Sequence, residues 1–316
     1  MDSSLKLKAG DYTVGWICAL AVELAASCEM FDEEYPQPLL DGRDQNCYRF
    51  GRIGGHNVVI CCLPSGRYGL VSATNVAFQM KASFKSIRFS LMVGIGGGVP
   101  NDKADIRLGD VVVSQPCGQH GGVVQYDMGK TLQLGESLRT GSLNSPPQVL
   151  LTATTAMEAA ALTGKLRVSE YLAHIGSRLS KFAFPTKLGD RMYATSSVHV
   201  GGASCKDCLD GLIEREVRES IDVVMHYGTI ASGNQVMRDG VTRDRISREL
   251  GTVLCFDMEA AGLMNDFPCS IIRGICDYSD AHKNKQWQPY AAAAAAAVAK
   301  ELLSHKPFSR RGHTPS

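Results

Sequence analysis

From residue 13 onward, short runs of β-branched and other apolar residues alternate with longer stretches whose apolar positions recur at helical spacing. Residues 13–19 predict a strand and 22–31 a helix, 54–63 a second strand, and 69–83 a helix with Val71, Asn75 and Phe78 spaced for one face. Residues 90–93 predict the next strand, after which a glycine cluster at 94–98 breaks the pattern. A strand at 108–114 and an alanine-rich helix at 148–162 follow, and the polar segment 163–192, with Pro185, reads as an excursion over the surface. The rhythm resumes at 222–232 and 254–257, then a helix at 258–264 and a strand at 269–275. Strand followed by helix is the signature of an α/β fold. The alanines from Ala291 to Ala297 run into Val298, Leu302 and Leu303, whose apolar stripe makes this a closing helix on the sheet rather than a linker. Neither repeat nor linker is evident, so a single domain over 1–308 with a flexible tail at 309–316 is expected.

Composition narrows the function classes. The 316 residues carry 33 Lys+Arg against 32 Asp+Glu and are 44% hydrophobic. That balance excludes disorder and argues against a binder of nucleic acid or of an anionic membrane surface, which needs a clustered basic excess. No run approaches the ~18 apolar residues of a membrane span, and the N-terminus lacks the apolar core and cleavage site of a secretory signal. The 11 cysteines are odd in number and sit largely in apolar segments such as VVICCL, which points to a reduced, cytoplasmic protein.

In α/β sheets, ligands bind beyond the carboxyl ends of strands, so the residues that follow the apolar runs are the candidates. These are Glu23, the loop 65–69, the glycines at 94–98, Asp257-Met258-Glu259, and Asp277. A carboxyl group leaving an apolar strand is partly desolvated and can hold a proton near neutral pH, although Asp277 could equally cap a turn with Tyr278, Ser279 and Asp280. The glycine cluster lacks the third glycine of a dinucleotide fingerprint, since position 99 is Val, and no phosphate loop or G-x-S-x-G occurs. Cys205 and Cys208 form a C-x-x-C, but the nearest histidine is His199 and there is no second C-x-x-C, so no metal is expected.

Taken in order, ALAVELAA, SGRYG, LMVGIGGG with LGDVVVS, GTIASGNQVM, FDMEAAG and RGICDYSD resemble the purine nucleoside phosphorylase and methylthioadenosine/S-adenosylhomocysteine nucleosidase superfamily. The segment GVVQYDMGK at 122–130 is similar to a fungal branch often fused to nucleotide-binding or ankyrin-repeat regions. The resemblance implies a mixed central β-sheet flanked by helices, no cofactor, and a homo-oligomer in which a neighbour can complete the site. It further implies that Glu259 holds the ribose hydroxyls, that Asp277 protonates or hydrogen-bonds the purine at N7, and that Glu23 activates water. Val236, Met237, Phe256 and Met258 would line the pocket with Gly96, Gly97, Asn234 and Asp257. Phosphorylases of the resembling branch carry an arginine and a serine or threonine where this chain has Met92 and Ile95, so an anion there would be desolvated without compensation. Arg67 or Arg43 could supply a phosphate contact instead. The expected activity is therefore hydrolysis of a purine ribonucleoside to base and ribose. The alternatives are a phosphate-dependent phosphorylase and a non-catalytic nucleoside-sensing module of a larger signalling protein.

Overall fold

The computed structural model describes residues 7–306 apart from 41, 132, 134–136 and 209, so the domain boundary at 308 and the tail 309–316 lie outside the described residues. The chain begins with β1 (Val14–Cys18), α1 (Ala21–Cys28), β2 (Glu33–Tyr35), β3 (Tyr48–Ile53), β4 (His56–Cys62), α2 (Leu70–Ser83), β5 (Phe89–Gly98) and β6 (Val111–Ser114). Next come β7 (Val123–Gln125), β8 (Gly129–Thr131), β9 (Ser137–Arg139), α3 (Gln148–Leu162) and α4 (Val168–Arg178). The last third adds β10 (Met192–Tyr193), β11 (Leu212–Ile213), β12 (Met225–Gly228), β13 (Ile230–Ser232), α5 (Gly240–Glu249), β14 (Cys255–Asp257), β15 (Cys269–Asp277) and α6 (Gln288–Ser304).

A mixed sheet of 11 strands runs β12-β6-β15-β5-β1-β4-β3-β2, with β14 paired to the far end of β5, β13 to β14, and β7 to β13. Its central strands β4, β1, β5 and β15 are parallel neighbours. They are mostly apolar because both of their faces are covered, with Arg273 in β15 as a buried exception. One face, with Val14 and Trp16, packs on Ala26, Leu150, Met157, Ile175 and the alanines of α6. The other, with Ile17 and Met92, packs on Ala73, Val76, Met80 and Ala260. The alanine run is buried from Ala291 to Ala297 because α6 lies almost backbone to backbone on the sheet: a Cβ on Gly274 would stand 1.9 Å from the carbonyl oxygen of Ala291.

The structure departs from the sequence reading at four places. The glycines at 94–98 do not end a strand but extend β5 to Gly98, where Gly97 and Gly98 pair with Phe256 and Cys255 of β14. Residues 258–264 form only a 3-10 turn, Ala260–Gly262, not a helix. The supposed excursion contains α4, an amphipathic helix that buries Val168 and Ile175. On α2 the inward residues are Ala73, Val76, Ala77 and Met80, while Val71 and Phe78 are exposed at 75% and 73%.

Candidate active site

Glu23 is carried by the first turn of α1, immediately beyond β1, and is buried. One carboxylate oxygen accepts from the amides of Ala19 (2.7 Å) and Leu20 (2.9 Å), and the other accepts from the amide of Ile95 (2.9 Å). Burial raises its pKa, and the Arg273 guanidinium and the three amides only partly offset that rise. The glycines of β5 create the room: a Cβ on Gly94 would meet Glu23 Oε1 at 2.5 Å and Arg273 Nη1 at 2.6 Å.

Arg273, fully buried in the middle of β15, organises the acids. Its Nε and Nη2 donate to Asp257 Oδ2 at 2.9 and 2.5 Å, and Nη2 stands 3.7 Å from Glu259 Oε2. Three carboxylates therefore surround one guanidinium. That imbalance falls on Glu259, whose pKa burial pushes up to about 7, with Arg273 opposing the rise and Asp257 and Glu23 adding to it. Glu259 Oε1 also accepts from the amide of Gly69 at 3.3 Å, at the start of α2, where φ is +91° and the backbone needs glycine.

Asp277 ends β15. The register with β5 slips between Ile275 and Asp277, and such a bulge turns the following side chain out of the regular alternation. Asp277 Oδ1 accepts from the amide of Ser279 (2.9 Å), a non-glycine residue with φ of +53°. Its Oδ2 accepts from the Lys283 ammonium at 2.6 Å and from the Cys276 thiol at 3.0 Å. The turn-capping role and a second, ion-paired role thus coexist in one carboxylate. Desolvation works against the Lys283 charge, but Asp277 outweighs it and holds the ammonium above its ordinary range.

One cavity of about 170 Å³ gathers most of the candidates: Glu23, Gly96, Gly97, Val236, Met237, Phe256, Asp257, Met258 and Glu259 all line it. Three expected residues stand apart. Arg67 sits exposed on a turn closed by its amide bond to the Pro64 carbonyl. Asn234 spends its side-chain oxygen on the amide of Leu70, capping α2. Asp277 borders a neighbouring cavity, while Ser279 and Lys283, both bonded to it, border the first. Asp257, although on the wall, is turned to Arg273. The sequence reading missed Arg273, Lys283, Gln235 and Ser279, whereas Tyr68 of the candidate loop 65–69 does line the cavity. Arg273 had a usable signal, since an arginine inside the apolar run CSIIRGIC must be paired once buried. Among the described residues lining this cavity the cation is Lys283, already paired with Asp277.

Residues 13–304 match the family described as the phosphorylase superfamily. The chain belongs to the phosphorylase superfamily. A nucleotide-binding leucine-rich repeat (NLR)-like protein of Hyaloscypha variabilis is 46% identical over 93% of this chain and 29% of its own length. An ATP nucleosidase of Escherichia coli is 25% identical over 92% of this chain and 50% of its own length. The chain thus spans half or less of these two relatives. Futalosine hydrolase of Helicobacter pylori shares the fold, with a TM-score of 0.59 and 16% identity over 93% of this chain and 98% of that one. Within the superfamily fold, Met92 is wholly buried in β5, and Ile95 borders the cavity while its amide serves Glu23.

Cys205 and Cys208, expected to be thiols without a metal, lie beside His199 in the loop between β10 and β11; their ligand atoms fall within 4.8 Å of one another. The sequence reading named His199 as the nearest histidine and set a metal aside because no second C-x-x-C completes a set of four. All 11 cysteines are free, and among the described residues no helix is long and apolar enough to cross a membrane.

Proposed function

We propose that this chain is a nucleosidase that hydrolyses the N-glycosidic bond of purine ribonucleosides, giving free base and ribose. The observation that carries the reading is that Glu23 and Glu259, which share Arg273, border the same cavity as Lys283, the partner of Asp277. Bond cleavage leaves positive charge on the ribosyl ring and negative charge on the departing base, and this arrangement serves both. In the proposed reaction the electron pair of the C1′–N9 bond leaves with the purine, and water attacks C1′ as Glu23 takes its proton. Glu259 accepts hydrogen bonds from the ribose hydroxyls. The Asp277–Lys283 pair supplies one proton to the purine, and Phe256, Met258, Val236 and Met237 cover it. Because Glu23 and Glu259 must be ionised for these roles and both titrate above their ordinary value, activity should rise with pH through about 7.

Water rather than phosphate is favoured by what surrounds the attacking side. Met92 and Ile95 offer no charge, Arg67 is on the surface, and two buried glutamates would repel an anion. We extend the reading to a homo-oligomer in which a second copy covers Val71 and Phe78, and to a cytoplasmic setting consistent with unpaired cysteines.

The test is to incubate the protein with adenosine, inosine, guanosine and ATP, each with and without inorganic phosphate, and to separate the products. Free base formed without phosphate supports hydrolysis, and ribose 1-phosphate formed only with phosphate overturns it. A second reading, a module that senses nucleosides without turning them over, is favoured by the NLR-like relative, and binding without any product would select it.

A further inference from the structure

The long loop between β10 and β11 has almost no core of its own. Its buried apolar cluster is Tyr193, Cys205 and Cys208 alone, while Val198 and Val200 are exposed. A loop of this length with so small a core needs another tie. We propose that His199, Cys205 and Cys208 form a zinc site, with His282 as the fourth ligand, that fastens this loop to the segment carrying Lys283.

Four observations carry the proposal. First, the spacing fits a shared ion: with zinc bonds of about 2.3 Å to sulfur and 2.0–2.1 Å to nitrogen, tetrahedral ligands stand about 3.6 Å apart. His199 Nδ1 lies 3.3 Å from Cys208 Sγ and 3.9 Å from Cys205 Sγ. Second, the outer partners are those of a metal site. His199 Nε2 is 2.9 Å from the carbonyl oxygen of Gly202, which can only accept, so the proton sits on Nε2 and the Nδ1 lone pair faces the sulfurs. The amide of Val200 donates to Cys208 Sγ at 3.4 Å and the Asn284 side chain to Cys205 Sγ at 3.7 Å, donors that would remain to a thiolate once the Cys208 thiol gives up the proton it now donates to the Val200 carbonyl. Third, His282 Nε2 is buried with no hydrogen-bond partner. Its ring lies 5.6 Å from that of His199 and is stacked on Tyr193 at 3.8 Å. Fourth, Cys205 Sγ already lies against the neighbouring segment, 3.3 Å from the His282 carbonyl oxygen, and the proton it donates there is the one that zinc would displace. Two sulfurs and the His199 nitrogen within 4.8 Å of one another select zinc over harder cations, and His282 would turn its unpartnered nitrogen toward them to complete the set. Because His282 adjoins Lys283, the ion would hold in place the loop that sets the ammonium against Asp277.

Binding would release the thiol protons and involve no change of oxidation state. The test is metal analysis of the purified full chain, without an affinity tag and in a reductant that does not chelate, followed by replacement with cobalt. The expected result is one zinc per chain and a cobalt spectrum with the thiolate charge-transfer band and intense tetrahedral visible bands. Cys205→Ser and Cys208→Ser should weaken cobalt binding by more than the roughly 10–100-fold that loss of an outer partner costs. Cys47→Ser and Cys117→Ser, at exposed positions elsewhere, should leave it unchanged. Absence of metal with no cobalt spectrum, isolation of the pair as a Cys205–Cys208 disulfide, or a cobalt spectrum that survives both serine variants would overturn the site. An unchanged spectrum in His282→Gln would overturn the fourth ligand. None of these readouts depends on nucleoside turnover.

Discussion

Replacing Glu259 with Gln should separate what this side chain contributes to function from what it costs the fold. The pKa of Glu259 rises from 4.5 to about 7 because a third carboxylate is buried beside a single guanidinium. That difference corresponds to about 3 kcal/mol. The sign follows from linkage. A carboxyl group raised in the folded state favours folding below its ordinary pKa, and that contribution is lost as pH rises through about 7. Gln keeps the shape, can accept from the amide of Gly69, and cannot ionise. It also places an amide near Arg273, which adds an offset independent of pH. The quantity to read is therefore the change in the difference between variant and wild type. Urea unfolding at pH 5 and pH 8 should show Glu259→Gln gaining on wild type by up to about 3 kcal/mol at the higher pH, with the remainder taken up by Glu23, which shares Arg273. Parallel pH dependences for the two proteins, or a variant that falls further behind at pH 8, would refute the claim that Glu259 is held above its ordinary range. Under the proposed function the same variant loses the ribose contact, so the gain in stability comes with a loss of kcat/KM.

Three further outcomes are expected. Asp277→Asn should lower kcat on the order of 10²–10⁴-fold in a chain that still folds, with some loss of stability because Lys283 loses its partner, and wild-type turnover would remove Asp277 from the chemistry. Lys283→Met should lower kcat as well, and should also cost about 2 kcal/mol in denaturant unfolding, because it strands a buried carboxylate whose partner kept some solvent. Phe78→Asp on α2 should shift the chain to a monomer in light scattering, whereas an unchanged mass would separate this exposed face from any self-association.

How much of this was legible in the sequence depends on whether a residue's role is local. Strands β1, β4 and β15 announced themselves because central parallel strands must be apolar on both faces, and Glu23, Glu259 and Asp277 could be picked out simply as acids at strand ends. The glycines of β5 were visible but misread. They continue the strand, and their missing Cβ atoms make space for Glu23, Arg273 and Asp277 rather than for a loop. Helix α2 was placed well but faced wrongly, since Ala73, Val76 and Met80 share the spacing of Val71 and Phe78 and only the tertiary packing chooses between them. Lys283 was hidden in the polar run AHKNK, where nothing local marks one lysine as the partner of Asp277. The meeting of His199 with Cys205 and Cys208 likewise depends on how a loop closes, which its unusual spacing does not reveal.

The proposed reaction stands on this cavity directing water at a nucleoside with Glu23 as the base. Its most direct test compares purine release by wild type and Glu23→Gln in buffer free of phosphate. Wild type should yield purine and ribose in equal amounts, and the variant should be slower on the order of 10²–10⁴-fold. Equal rates in the two proteins, or release by wild type only after phosphate is added, would contradict it.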